Sequence, residues 1–132
     1  MASVVGRYEM TSSDDNYDAY LKAIDVGMIQ RNLAGKAKPT EEISENGGRY
    51  TLKTLTALKN TEINFVLGEE FDEETFDNRK IRSTVTRDGA KLVHVQKYGE
   101  NEALIVRTFT DTSMEVTYSA QDVISARTFR RI

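Results

Sequence analysis

The runs Glu102-Ala103-Leu104-Ile105-Val106-Arg107-Thr108-Phe109 and Asp122-Val123-Ile124-Ser125-Ala126-Arg127-Thr128-Phe129 alternate with the two-residue period of a β-strand. Ala103, Ile105, Arg107 and Phe109 share one face, with Leu104, Val106 and Thr108 on the other. In the second run Val123, Ser125, Arg127 and Phe129 share a face, while Arg130 and Ile132 lie opposite. Each strand therefore sets an arginine two residues before a phenylalanine on a mostly apolar or small face. Arginine is mostly exposed in folded proteins, so one reading is a surface stripe with Lys97, Glu102 and Glu115. The other turns both arginines inward. A buried guanidinium cannot shed its proton and is costly unless hydrogen-bonded and charge-paired. Such a site awaits an anion, and a carboxylate fits the guanidinium fork through two parallel bonds. Parity alone leaves both readings open.

The same period runs through most of the chain. Segments of strand length cover 4–11, 39–45, 49–55, 59–67, 70–76, 79–87, 91–97, 102–110, 113–119 and 122–131. Turn residues separate them, among them Asn46-Gly47-Gly48, Gly68, Asp88-Gly89 and Gly99. One region near the start breaks the period. Tyr17, Tyr20, Leu21 and Ile24 stand at i, i+3, i+4 and i+7, an apolar helical stripe. Ser13, Asp14 and Asp15 offer capping oxygens before it. Gly27 interrupts the stripe, Met28, Ile29 and Leu33 resume it on a second short helix, and Gly35 and Pro39 end that one. Ten sequential strands with tight turns predict an all-β antiparallel meander whose sheet closes to remove its edges. An interior that wide is not easily filled by side chains, so a cavity is expected.

Composition narrows the function. The chain has 132 residues, enough for a single domain, 1–132, and a formal net charge of −3. That charge does not suit a general nucleic-acid binder. No cysteine and one histidine, His94, leave no thiolate nucleophile, thiolate metal site or multi-histidine centre. No activated nucleophile, acid–base pair or glycine-rich phosphate loop is assembled, so no enzyme, metal or cofactor is expected. No window approaches the roughly 18 apolar residues of a membrane span, and no secretory signal is seen. A cytoplasmic monomer is the expectation.

Leu58-Lys59-Asn60-Thr61-Glu62-Ile63 is followed by Phe65, Leu67-Gly68, Glu70-Phe71-Asp72-Glu73 and Thr75. Val5-Gly6-Arg7-Tyr8 and Lys38-Pro39-Thr40 precede these, and Gly89, Lys91-Leu92-Val93-His94, Gln96-Lys97, Val106-Arg107 and Arg127-Thr128-Phe129 follow. In this order and spacing the chain resembles the intracellular lipid-binding proteins, specifically the fatty-acid-binding branch, over essentially its full length. The resemblance implies a ten-stranded β-clam with a two-helix lid, carrying a long-chain fatty acid for solubilisation and transport. It implies that Arg107 and Arg127 hold the carboxylate, in a pattern of one arginine plus Arg-x-Tyr. Here Phe129 replaces the family tyrosine, a loss of one hydrogen bond worth ~0.5–1.5 kcal/mol. The retinol-binding branch favours glutamine at the arginine positions, so the arginines favour an acid over an alcohol.

By the same resemblance, Leu58 stands at a commonly aromatic portal position, and Phe76 beside Asp77 and Arg79 narrows the cavity or its portal. Tyr17, Tyr20, Leu21 and Met28 of the lid, with Val116 and Tyr118, complete the expected cavity and portal set. His94 and Gln96 share a face and are expected inward as structural residues. The acids Glu69, Glu70, Asp72, Glu73, Glu74 and Asp77 read as a charged edge and turn, with Asp77 a candidate for the portal. Lys22, Arg31, Lys36 and Lys38 read first as a solvated face. Their functional alternative is transient docking on anionic membranes at about 1 kcal/mol per basic residue. Two further readings stand beside the fatty-acid carrier: a carrier of a retinoid or other hydrophobic ligand, and a membrane or protein interaction module built on the basic helical lid.

Overall fold

The computed structural model describes residues 3–132. Its elements run β1 (Gly6–Ser13), α1 (Tyr17–Ala23), α2 (Met28–Lys36), β2 (Thr40–Asn46), β3 (Arg49–Leu55), β4 (Asn60–Val66), β5 (Phe71–Glu74), β6 (Lys80–Asp88), β7 (Lys91–Tyr98), β8 (Asn101–Phe109), β9 (Ser113–Ala120) and β10 (Val123–Arg131). The strands form one sheet in the order β4-β3-β2-β1-β10-β9-β8-β7-β6-β5, and every pairing is antiparallel. The first and last strands pair with each other, which rolls the meander into a nearly closed barrel and leaves β4 and β5 as its two ends.

No backbone ladder joins β4 to β5 among the described residues. Side chains bridge the gap instead. Tyr50 stacks on Phe65 at 5.5 Å, Phe65 on Phe71 of β5 at 5.7 Å, and Phe71 lies 6.3 Å from the His94 ring on β7. Offset aromatic pairs at such spacings add to simple area burial. The barrel is thus closed by hydrogen bonds on one side and by rings on the other.

Alternation settles which way each strand faces. In β8 the buried residues are Ala103, Ile105, Arg107 and Phe109, and in β10 they include Ser125, Arg127 and Phe129. Both arginines point inward, each only 5% exposed. Across β9 the register joins them through one residue, with Val116 opposite both Arg107 and Arg127.

The helical region departs from the expected punctuation. Asn16 begins α1 without a side-chain cap, and Ser13, Asp14 and Asp15 do not cap it. Asp14 instead accepts hydrogen bonds from the Asn16 N–H at 3.0 Å, the Ser125 hydroxyl at 2.7 Å and the Ala126 N–H at 2.8 Å. It ties the chain entering α1 to β10 beside Arg127. The break between helices falls at Asp25, which takes φ +64°, a left-handed conformation that aspartate tolerates better than most residues. Gly27 follows in extended conformation, and α2 runs through Gly35 to Lys36 before Ala37 turns extended. Helix α1 buries Tyr20 and Leu21 on the barrel, whereas α2 buries none of its residues. The lid is thus buried on the barrel mainly through α1 and is more exposed along α2.

Candidate functional site

The barrel encloses a cavity of about 400 Å³, within the size range of small-molecule pockets. Tyr17, Tyr20, Leu21 and Ile24 of α1 line it, with Leu33 and Ala34 of α2 and Leu52 and Ile63 of the sheet. Leu58 and Phe76 stand at its wall from the β3–β4 and β5–β6 turns. Tyr118 completes an aromatic knot with the lid, its ring 5.2 Å from Tyr17 and 5.4 Å from Tyr20. Burial pushes the titration of both Tyr20 and Tyr118 well above the ordinary tyrosine value, so these hydroxyls stay neutral.

Two guanidinium groups interrupt the apolar wall, and they differ. Arg107 already has its anion. Its Nε donates to Oε1 of Glu41 at 2.9 Å and its terminal nitrogen to Oε2 at 3.2 Å, with both side chains 6% exposed. The Thr54 hydroxyl also donates to Glu41 Oε2, at 3.2 Å. Burial by itself would lower the Arg107 pKa, but the charge and hydrogen bonds of Glu41 raise it above the ordinary value. Arg127 has no such partner. Its Nε donates to the Ser13 hydroxyl at 3.1 Å, and its guanidinium carbon lies 3.4 Å from the Tyr17 ring centroid. Its two terminal nitrogens have no hydrogen-bond partner among the described residues, and Arg127 lines the cavity. Of the two inward arginines, Arg107 thus already faces a carboxylate and Arg127 keeps open donors.

Local irregularities set these contacts. A bulge in β1 inserts Thr11 between Met10, opposite Phe129, and Ser12, opposite Thr128. The extra residue brings Ser13 rather than Ser12 opposite Arg127. Glu41 reaches inward because it shares a face of β2 with buried Ile43.

A second polar group also lines the cavity. Glu73 is 8% exposed rather than part of a charged edge. It accepts hydrogen bonds from the Ser83 hydroxyl at 2.8 Å and Gln96 at 2.9 Å, and shares a 2.8 Å bond with Nε2 of His94. Desolvation pushes its carboxyl up, but the bond and attraction of His94, then Ser83 and Gln96, bring it below the ordinary value. A carboxyl with a depressed folded pKa stabilises the fold above its unfolded value, about 4.3, and loses that contribution as pH falls through the folded value. Glu73→Gln is therefore predicted to lower stability at neutral pH and to flatten its decline below about pH 4.3. Urea denaturation across that range checks this; an unchanged acid-side slope would refute it.

The remaining predicted site residues fall in several places. Val116 is buried between the two arginines in register, off the cavity wall. Phe129, which replaces the family tyrosine, is fully buried opposite Met10 and Met114 and likewise off the wall, so its ring packs as core. Met28 is 66% exposed and does not line the cavity. Asp77 and Arg79 pair at 2.9 Å in the β5–β6 turn, where Arg79 stacks 4.7 Å from the Tyr98 ring, and neither lines the cavity. Arg31 is not a free basic residue of the lid: it pairs with Asp18 at 3.2 Å and donates to the Val26 carbonyl at 2.7 Å. Lys22 and Lys36 are exposed.

Lys59 was not among the predicted site residues. Its Nζ donates to the Phe76 carbonyl at 2.6 Å and to Asn78 Oδ1 at 2.8 Å, clasping the β3–β4 turn to the β5–β6 turn. Lys59→Met is predicted to speed ligand dissociation severalfold, since opening the turns then breaks no charge-assisted bond. Stopped-flow release of a bound fluorescent apolar probe measures it, and an unchanged rate would show that these turns do not gate exchange.

The sequence profile of the lipocalin / cytosolic fatty-acid binding protein family matches residues 5–131. The chain is 44% identical to a fatty acid-binding protein of Tyrophagus putrescentiae, over 99% of both chains. It is 38% identical to fatty acid-binding protein 9 of Homo sapiens, covering 97% of this chain and 96% of the other. A solved structure of a Schistosoma mansoni fatty acid binding protein in complex with arachidonic acid superposes with a TM-score of 0.94, at 31% identity, over 100% of this chain and 98% of that one.

Proposed function

This chain belongs to the lipocalin / cytosolic fatty-acid binding protein family, a family of carriers rather than enzymes, and we propose that it carries one long-chain fatty acid in its internal cavity. The chain from 1 to 132 acts as a single binding unit, working as a monomer in the cytoplasm to solubilise and transport the acid. The observation that carries this reading is Arg127: a cation on an otherwise mostly apolar wall, with its terminal nitrogens unpaired among the described residues. The tail supplies most of the affinity. Each buried methylene contributes ~0.8 kcal/mol, so a dozen give on the order of 10 kcal/mol before ordering costs. The arginine end of the cavity supplies the choice of head group, with Arg127 as the direct contact and Arg107 held beside it by Glu41.

A calorimetric titration of delipidated protein with a long-chain acid and its matching alcohol tests the reading. Tight one-to-one binding that favours the acid supports it; equal binding supports a carrier indifferent to the head group, such as one for a retinoid. Binding of neither supports an interaction module. The exposed Met28, Ile29 and Leu33 of α2, with Lys22 and Lys36 nearby, favour an accompanying role for the lid in brief docking on anionic membranes. Ligand transfer to vesicles that quickens with anionic lipid content supports that role.

A further inference from the structure

We propose that Glu41 is a specificity-determining residue: by occupying Arg107 it leaves Arg127 as the cation offered to the ligand, and so restricts the cavity to hydrophobic ligands with a single negative charge. The inference deepens the carrier reading and rests on it. Three lysine and arginine side chains line the described cavity wall: Lys59, Arg107 and Arg127. Lys59 is held at the β5–β6 turn by Phe76 and Asn78. Arg107 is neutralised by Glu41 in a two-bond fork. Arg127 alone among them has open donors and no acid in contact.

Charge arithmetic then selects the head group. Glu41 and Arg107 cancel. Asp14, the exposed acid that Arg127 attracts, commits its carboxylate to Asn16, Ser125 and Ala126. The buried wall thus offers the ligand one uncancelled guanidinium, which one carboxylate matches. A phosphate monoester carries about −1.5 to −2 at neutral pH. It would leave excess negative charge beside the buried Glu41 carboxylate, where low polarity strengthens the repulsion. Nor can the ligand simply displace Glu41, since a buried carboxylate stripped of its arginine is strongly destabilising. A single carboxylate does not engage both forks either, because the Arg107 fork is already filled by Glu41. The chemistry that fits is one monoanionic head on one apolar tail.

Displacement of a fluorescent fatty-acid probe at pH 8 compares hexadecanoate, hexadecanol and hexadecyl phosphate on the delipidated protein. The expected result is a preference of about tenfold or more for hexadecanoate over hexadecyl phosphate. Glu41→Gln, which removes one negative charge and keeps the shape, is expected to shift that ratio about tenfold towards the phosphate. Equal binding of acid and phosphate by the unaltered protein, or an unchanged ratio in the folded variant, overturns the proposal. The unaltered protein decides the matter alone if the variant does not fold. Hexadecanoate failing to bind at all overturns the carrier reading and this inference with it, whereas bound acid without discrimination against the phosphate overturns only the inference.

Discussion

Arg127→Gln is expected to weaken binding of a long-chain fatty acid by roughly 10- to 100-fold, and binding of the matching alcohol far less. A hydrogen bond to a charged group contributes ~1.5–3 kcal/mol, which converts to that range of dissociation constants. The carboxylate loses its charge-assisted partner in this variant, whereas an alcohol gives up an ordinary bond that glutamine can replace. A smaller, shared loss is expected as well, because Arg127 stacks on Tyr17 and bonds to Ser13. Removing it loosens α1 from the floor for every ligand. Titrations of acid and alcohol on both proteins separate the two contributions. If both ligands lose affinity equally, Arg127 holds the lid and does not read the head group.

The barrel was legible because its information is local. Each of the ten strands falls within about two residues of its predicted bounds, since period-two alternation and turn residues are written along the chain. Parity also placed Arg107 and Arg127 on one face each, though only closure of β1 onto β10 makes those faces interior. What escaped was contact between distant segments. Glu41 sits in a pair of acids, Glu41-Glu42, which reads as solvent-facing, and its partner lies 66 residues away. Its signal was its spacing from Ile43, two positions on. Glu73 hid in the same way among the acids of 69–77, although Phe71 shares its parity. The β1 bulge that delivers Ser13 to Arg127, and the left-handed Asp25 that turns the lid, have no marker in the run of residue types. Phe129 illustrates the converse: its parity was right, but a tyrosine pattern does not tell where a ring without a hydroxyl will settle.

Arg107→Leu, with Glu41 left in place, is expected to cost about 3–5 kcal/mol of stability, because it strands a buried carboxylate. For a domain of this size that corresponds to a fall in melting temperature of roughly 10–20 °C. The paired change Glu41→Leu with Arg107→Leu is expected to recover most of that loss, since replacing a whole buried ion pair by apolar groups is often neutral or stabilising. Calorimetry of the delipidated variants closes the cycle. A double variant as unstable as the single one would mean that packing of the long Arg107 stem against the wall, rather than charge, sets the cost. A single variant losing under about 1 kcal/mol would mean that Glu41 reaches water or takes up a proton at little cost. Recovery in the double variant carries a consequence for function. If the pair adds little net stability, its retention inside a cavity is not explained by folding, and the observable it would still change is which charged head the cavity accepts. The stability cycle and the head-group titrations thus bear on one pair of side chains from opposite directions: the first measures what Glu41 and Arg107 do for each other, the second what they leave for the ligand.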